Sequence, residues 1–174
     1  MKKISFATFA ISVLLTLLAS CKKETTQVLD FSSYVATDNE CHVTGATDTT
    51  EWANTILTRK QDTSRLTFAD NIVITDTVAG TITISPPCPN PSNGFFIWNI
   101  HPERQCKLRL VCINAANDII YYNAYGLSGG PMTIGFDFRN TSTFHPGTNY
   151  RMYYGFYNAK DSLYFAGHGD IRIQ

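Results

Sequence analysis

His168 and Asp170, separated by Gly169, have the types and spacing for proton transfer. Residues two apart on an extended chain share a side, so the carboxylate could orient the imidazole as a general base. That chemistry also needs a Ser or Cys nucleophile on a recognisable turn, and the sequence offers none, which leaves His168 as a turn residue near the last strand. His101 and His145 each precede a proline, a context that favours extended or turn backbone, and both read as loop residues. Gly126-Leu127-Ser128-Gly129-Gly130 lacks the following helix that a phosphate loop requires. The reading is therefore not an enzyme, with no cofactor and no metal site expected.

Stacking is the other chemistry within reach. Tyr121, Tyr122 and Tyr125 cluster before the glycine-rich turn, and Tyr153 and Tyr157 fall on the face opposite Tyr150, Met152, Tyr154 and Phe156. A row of rings on one sheet face can stack on sugars and loses little entropy on binding. A carbohydrate-binding module needs that face open, with Asn123 and Arg151 beside the rings. A structural or assembly role instead predicts that residues 31–85 or a partner cover it.

The first residues speak of export. Lys2 and Lys3 are followed by an apolar stretch, densest at Ile11 to Leu18, too short to span a bilayer but suited to a signal-peptide core. It closes on Leu18-Ala19-Ser20-Cys21, which resembles the lipobox of bacterial lipoproteins. The resemblance implies cleavage before Cys21, lipid on its thiol, and attachment to a membrane without a spanning helix, since each buried methylene contributes about 0.8 kcal/mol. Lys22-Lys23-Glu24-Thr25-Thr26-Gln27 has no apolar period and reads as a solvated tether. Lys followed by an acid after the lipidated Cys resembles surface lipoproteins of bacteria with type IX secretion, and Lys23-Glu24 gives a partial match. The expected place is the outer membrane, surface-exposed or facing the periplasm.

Removing residues 1–20 leaves 174 − 20 = 154 residues, the size of one domain, with a formal charge of 12 − 14 = −2. That balance offers no electrostatic handle for nucleic acid. The expected partners are the membrane, through the lipid, and a protein or glycan that the sequence does not name. With Cys21 lipidated, Cys41, Cys88, Cys106 and Cys112 remain, an even number in an exported chain, which suggests two disulfides of undetermined pairing. Their spacings lack the close pairs of a zinc site.

From Phe31 the dominant period is two. The exception is Asp48-Thr49-Thr50-Glu51, which reads as a capping box, with Trp52, Ile56 and Leu57 on one helical face and Trp52 plugging that helix onto a sheet. Ile72-Val73-Ile74 and Thr81-Ile82-Thr83-Ile84 read as strands. The prolines from Pro86 to Pro91 break any ladder and set a boundary. Beyond it come Phe96, Trp98 and Ile100; Leu108, Leu110 and Cys112; Met132, Ile134, Phe136 and Phe138; Tyr150, Met152, Tyr154 and Phe156; then Leu163 with Phe165 and Ile171 with Ile173, in one strand or two. Turn residues separate these runs at Asn117-Asp118, Ser128 to Pro131 and Pro146-Gly147. Short half-buried strands of this kind predict a mostly β protein, an antiparallel sandwich. The organisation expected is a leader (1–20), a tether (21–30), an extension with a short helix and two strands (31–85), and the sandwich (86–174).

A second resemblance follows from particular motifs. Asn90-Pro91-Ser92-Asn93-Gly94-Phe95-Phe96-Ile97 is similar to the opening of the C-terminal sorting domain of type IX secretion cargo. Lys107 to Asn114 and the Phe144 to Met152 stretch, with its Pro146-x-Gly-like turn before Tyr150, follow in the family's order. The resemblance implies an immunoglobulin-like sandwich over the last half of the chain. The chain departs from the family in its lipid anchor, in Asn117-Asp118 where a glycine is usual, and in its ending Ile171-Arg172-Ile173-Gln174. The sandwich is accordingly read as the body of a non-catalytic lipoprotein, with glycan binding and a sorting role as alternatives.

Overall fold

The computed structural model describes residues 29–31, 33–54, 57 and 60–174, with residues 60 and 61 in backbone only. The leader, Cys21, most of the tether and Ile56 lie outside the described residues. In chain order the elements are α1 (Lys60–Arg65), β1 (Ile82–Ile84), β2 (Phe95–Pro102), β3 (Cys106–Ile113), β4 (Ile119–Leu127), β5 (Met132–Asp137), β6 (Asn149–Tyr157) and β7 (Leu163–Arg172). They form two antiparallel sheets, β1-β2-β5 and β4-β3-β6-β7.

Period-two patterning decides which side chains meet between the sheets. Phe96, Trp98 and Ile100 of β2 stand opposite Phe136, Ile134 and Met132 of β5, and they pack on Leu108, Leu110, Tyr154, Phe156 and Ile171 of the facing sheet. Trp98 lies at the centre, with its ring centroid 5.3 Å from Tyr154 and 6.5 Å from Phe136. Its buried indole N–H donates to Ser85 O at 2.7 Å, satisfying a polar group that would otherwise oppose burial. The loop from β5 to β6 is pinned by Phe144, which stacks on Phe138 at 4.0 Å.

The strand order is that of an immunoglobulin-like sandwich. The first, second and fifth strands make one sheet, and the third, fourth, sixth and seventh make the other, so the chain changes sheet after β2, β4 and β5. Tyr150, at the start of β6, accepts a hydrogen bond from the His145 backbone N–H at 2.7 Å. That is the tyrosine corner of such sandwiches, and it accounts for a Pro-Gly turn leading into a tyrosine.

The described residues between 29 and 81 pack on the sandwich. Residues 35–54 close the β7 side of the sandwich, where Trp52 stacks on Tyr154 at 6.0 Å and meets Trp98 edge-on at 5.6 Å. The Trp52 N–H donates to His168 O on the β7 edge at 2.8 Å. Glycines on β7 make this approach feasible: a Cβ on Gly169 would lie 2.1 Å from the Trp52 ring, and one on Gly167 would lie 2.2 Å from Ala53 O. Farther on, Leu66 caps a second apolar cluster with Val111, Ile113, Tyr153 and Tyr157 on the outer face of the four-stranded sheet.

Two local expectations are corrected. The described residues 48–54 form no helix, and the short helix among the described residues is α1, because the capping residues are used elsewhere. Asp48 Oδ1 accepts from both the N–H and the hydroxyl of Thr50 in a closed turn, Glu51 turns inward to Val35, and Trp52 adopts φ 51°. Its predicted role as a plug on a sheet stands, but from a turn. Residues 72–74 form no strand: the Ile72 and Thr75 N–H groups bond the side chains of Asp70 and Gln105, and Val73 is 87% exposed. Of the second predicted strand, Ile82–Ile84 is realised as β1. Leu163 to Ile171 lies on one continuous strand, β7.

Candidate interaction surfaces

The five tyrosines with stacking potential occupy three different environments. Tyr153 and Tyr157 are 1% and 4% exposed, covered by Leu66 with Leu57, Phe68, Leu29 and Phe31 around them. The Tyr157 hydroxyl donates to Leu66 O at 3.1 Å, and the Arg65 guanidinium lies 5.3 Å from the Tyr153 ring. Tyr121 and Tyr125 turn towards the core, 5.2 Å from Phe138 and 6.4 Å from Phe136. Their hydroxyls meet at 3.1 Å, and Asn123 Nδ2 donates to both. Tyr122 alone of the five is mostly exposed, at 64%, with Phe68 edge-on against it. The expected continuous platform is therefore not formed; the extension covers its centre.

Beneath that cover lies a charged network. Asp70 receives Arg109 Nε at 2.7 Å and Lys107 Nζ at 3.0 Å, and Asp161 closes the group from the loop before β7 at 2.9 Å from Lys107. Burial works to raise the Asp70 pKa, but the bonds from Arg109 and Lys107 outweigh it and hold the carboxyl below its usual range. Arg109 also lies 4.6 Å over the Tyr157 ring. Arg109 points away from the face shared by Leu108 and Leu110, yet it is buried because Asp70 and Phe68 lie on top of it.

A second polar cluster forms the seam between residues 29–54 and the β6–β7 pair. Asn90 is buried; its Nδ2 donates to Val35 O at 2.9 Å and Asp170 O at 3.0 Å, while its Oδ1 accepts from Arg172 N at 2.9 Å. The asparagine of the Asn-Pro motif thus ties three segments together. Asp170 is fully buried and receives Arg151 through Nε and Nη2, both at 2.7 Å. Arg151 Nη2 also reaches Asp30 O, and the guanidinium lies 5.2 Å over the Phe31 ring. Glu51, 5% exposed, accepts from Val35 N at 3.2 Å. Burial, then the neighbouring Asp170 carboxylate, pushes Glu51 up to about 7.

These commitments bear on the His168 and Asp170 pair. Both are on β7 two residues apart, but the Asp170 carboxylate is engaged in two bonds to Arg151, which withdraws it from orienting an imidazole. His101 is in strand β2 and not in a loop, because Pro102 accepts a place at the strand end opposite Ile82. His145 is in the loop expected. Among the described residues no group of three His, Cys, Asp or Glu is placed to hold a metal ion.

Among the described residues the cysteines pair once. Cys41 and Cys88 form a disulfide that closes 47 residues of sequence. Cys106 and Cys112, expected as disulfide candidates, are free buried thiols. They lie on one strand, β3, about 20 Å apart at roughly 3.3 Å per residue, and cannot reach each other. Burial pushes the Cys106 thiol up to about 11, and raises Cys112 as well, which makes both poor nucleophiles at neutral pH.

On the outer face of the three-stranded sheet, Cys41 Sγ lies 3.9 Å from Asn99 Nδ2. This face carries a shallow cavity of about 370 Å³ whose walls include Thr83, Asn99, His101 and Thr133. Sequence reasoning passed over this face because its residues are small and polar, the ordinary composition of a solvated strand face. It also missed Glu51 and the Arg151–Asp170 pair. Opposite charges isolated within two apolar strands were the available signal, but pairing them requires the β6–β7 register.

The fold and its seams define an immunoglobulin-like β-sandwich wrapped by its own N-terminal segment. No family model matches the chain, and no curated protein matches it. Among solved structures the chain is similar to the crystal structure of the CARDB domain of the PF1109 protein from Pyrococcus furiosus, in complex with di-metal ions. The identity is 10% and the TM-score 0.34, over 62% of this chain and 100% of that one. The sandwich assignment rests on the strand order and the tyrosine corner.

Proposed function

We propose that this chain is a non-catalytic lipoprotein, held to the outer membrane by lipid on Cys21, whose sandwich serves as a structural or interaction body. The burial of Tyr153 and Tyr157 under Leu66 is the observation that favours it, since a body that clothes its own aromatic face is what this role requires. The commitment of Asp170 to Arg151 supports the absence of acid–base chemistry at His168. No helix among the described residues is long and apolar enough to cross a membrane. The expected partners are the membrane and a protein or glycan, not nucleic acid.

The test is fractionation of cells that express the intact chain or its Cys21→Ser variant. The wild type is expected to sediment with membranes and the variant to be released; a variant that still sediments refutes lipid anchoring. Proteolysis of intact cells then separates surface display from the periplasmic face.

A second reading, carbohydrate binding, is favoured by the neutral walls of the open cavity, where Thr83, Asn99 and Thr133 offer hydroxyls and an amide without charge. It moves the binding face from the four-stranded to the three-stranded sheet. A glycan array probed with the intact chain tests it: binding that is lost in Asn99→Ala supports it, and no binding to any sugar removes it. The sorting role implied by resemblance ranks below both, because Asn90 and Tyr150, which carry much of that resemblance, are both occupied in holding the sandwich together.

A further inference from the structure

The seam holding residues 29–54 to β7 contains two buried carboxylates, Glu51 and Asp170, and one guanidinium, Arg151, to serve them. Arg151 gives both of its side-chain bonds in this group to Asp170. Glu51 is served by neutral backbone donors, the N–H groups of Asp170 and Val35, and its next residue makes the hydrogen bond from Trp52 N to His168 O that seats the segment on the sheet edge. From these positions we infer that Glu51 is a pH-operated latch: its neutral form keeps residues 33–54 closed on β7, and its ionisation loosens them.

The charges around it point the same way. From its own segment come the carboxylates of Asp48 and Asp30; from β7, Asp170 and His168; from β6, Arg151, Tyr153 and the Tyr154 hydroxyl, which donates to Ala53 O at 2.8 Å. An ionised Glu51 would add a fourth negative charge to Asp170, Asp48 and Asp30 beside the Arg151 guanidinium, and removing it from water carries a further cost. The shift in Glu51, first from burial and then from Asp170, agrees with this arrangement. An acid raised in the closed state holds its full contribution below its ordinary value near 4.5 and loses it as pH rises towards 7. Each unit by which closure raises the pKa changes the open-to-closed ratio by about tenfold. Loosening uncovers the β7 edge at His168 O and the inward aromatic surface of Trp52, both able to receive another chain.

Hydrogen exchange on the intact chain, corrected for the intrinsic pH dependence of amide exchange, tests the latch. Between pH 5.5 and 8 the amides of residues 33–54 are expected to lose about tenfold or more in protection, while those of β3 and β6 stay constant. In Glu51→Gln, which stays neutral, protection is expected to be flat across that range. Protection that is flat in the wild type, or a pH response that survives in Glu51→Gln, overturns the proposal. Should that variant fail to fold, carbon-13 titration of the wild-type Glu51 carboxyl decides: a midpoint near 7 supports the latch and one near 4.5 refutes it.

Discussion

β6 and β7 face each other over nine paired positions, from Asn149 opposite Arg172 to Tyr157 opposite Leu163, whereas the described residues between 29 and 81 meet the same sheet at scattered points: the lone backbone bond from Trp52 N to His168 O, the ion pairs of Asp70, and side-chain bonds to single carbonyls. In the ladder, hydrogen bonding is supplied by the main chain, so any alternating apolar sequence sustains it. In the wrap, four attachments depend on a particular side chain: Asn90 to Val35, Tyr154 to Ala53, Tyr157 to Leu66 and Asn158 to Thr77. Both regions bury apolar surface, yet one is insured by repetition and the other is not. The lesson is that the sandwich should tolerate change everywhere except at its packed centre, and the wrap should come loose from single substitutions that leave the sandwich folded.

Trp98→Ala is the most severe way to strain that contrast. It removes the ring at which Trp52, Phe136 and Tyr154 converge and leaves the Ser85 carbonyl without its donor. A loss of about 3–5 kcal/mol is expected in urea unfolding, felt by both regions together. Gly169→Ala should separate them instead. The added methyl group collides with the Trp52 ring, costing about 1–3 kcal/mol, and limited proteolysis is expected to cut within residues 33–54 while the sandwich resists. Val73→Asp, in the exposed stretch of the wrap that forms no strand, should change stability by less than about 0.5 kcal/mol, checked in the same urea titration.

The contrast also explains what could be read from the residues alone. Trp98, Leu110, Phe136 and Tyr154 fall where alternation places them because the sheet imposes a period of two, and the turn at Pro146-Gly147 leads into Tyr150 as a corner residue. Nothing periodic marks the wrap. Asp48 and Glu51 carry the spacing of a helix cap, but tertiary partners took them: Thr50 closed a turn with Asp48 while Val35 drew Glu51 inward. The isoleucines at 72 and 74 carry strand propensity, yet Asp70 and Gln105 side chains hold the neighbouring amides away from any ladder. The cover that a structural role predicts for the Tyr153 and Tyr157 face does come from within residues 31–85, but nothing in the residues singles out Leu66 and Phe68 as the ones that supply it. Cysteine number suggested two bridges, and only the β3 strand itself shows why Cys106 and Cys112 stay apart.

Hydroxyl-radical footprinting of the intact protein, read at single tyrosines, addresses the wrap most directly. Labelling is expected at Tyr122, with Tyr153 and Tyr157 protected to the level of the core residue Tyr154. Modification of Tyr153 and Tyr157 at the rate of Tyr122 would mean that the sheet face is open, and the self-clothed sandwich would have to be abandoned.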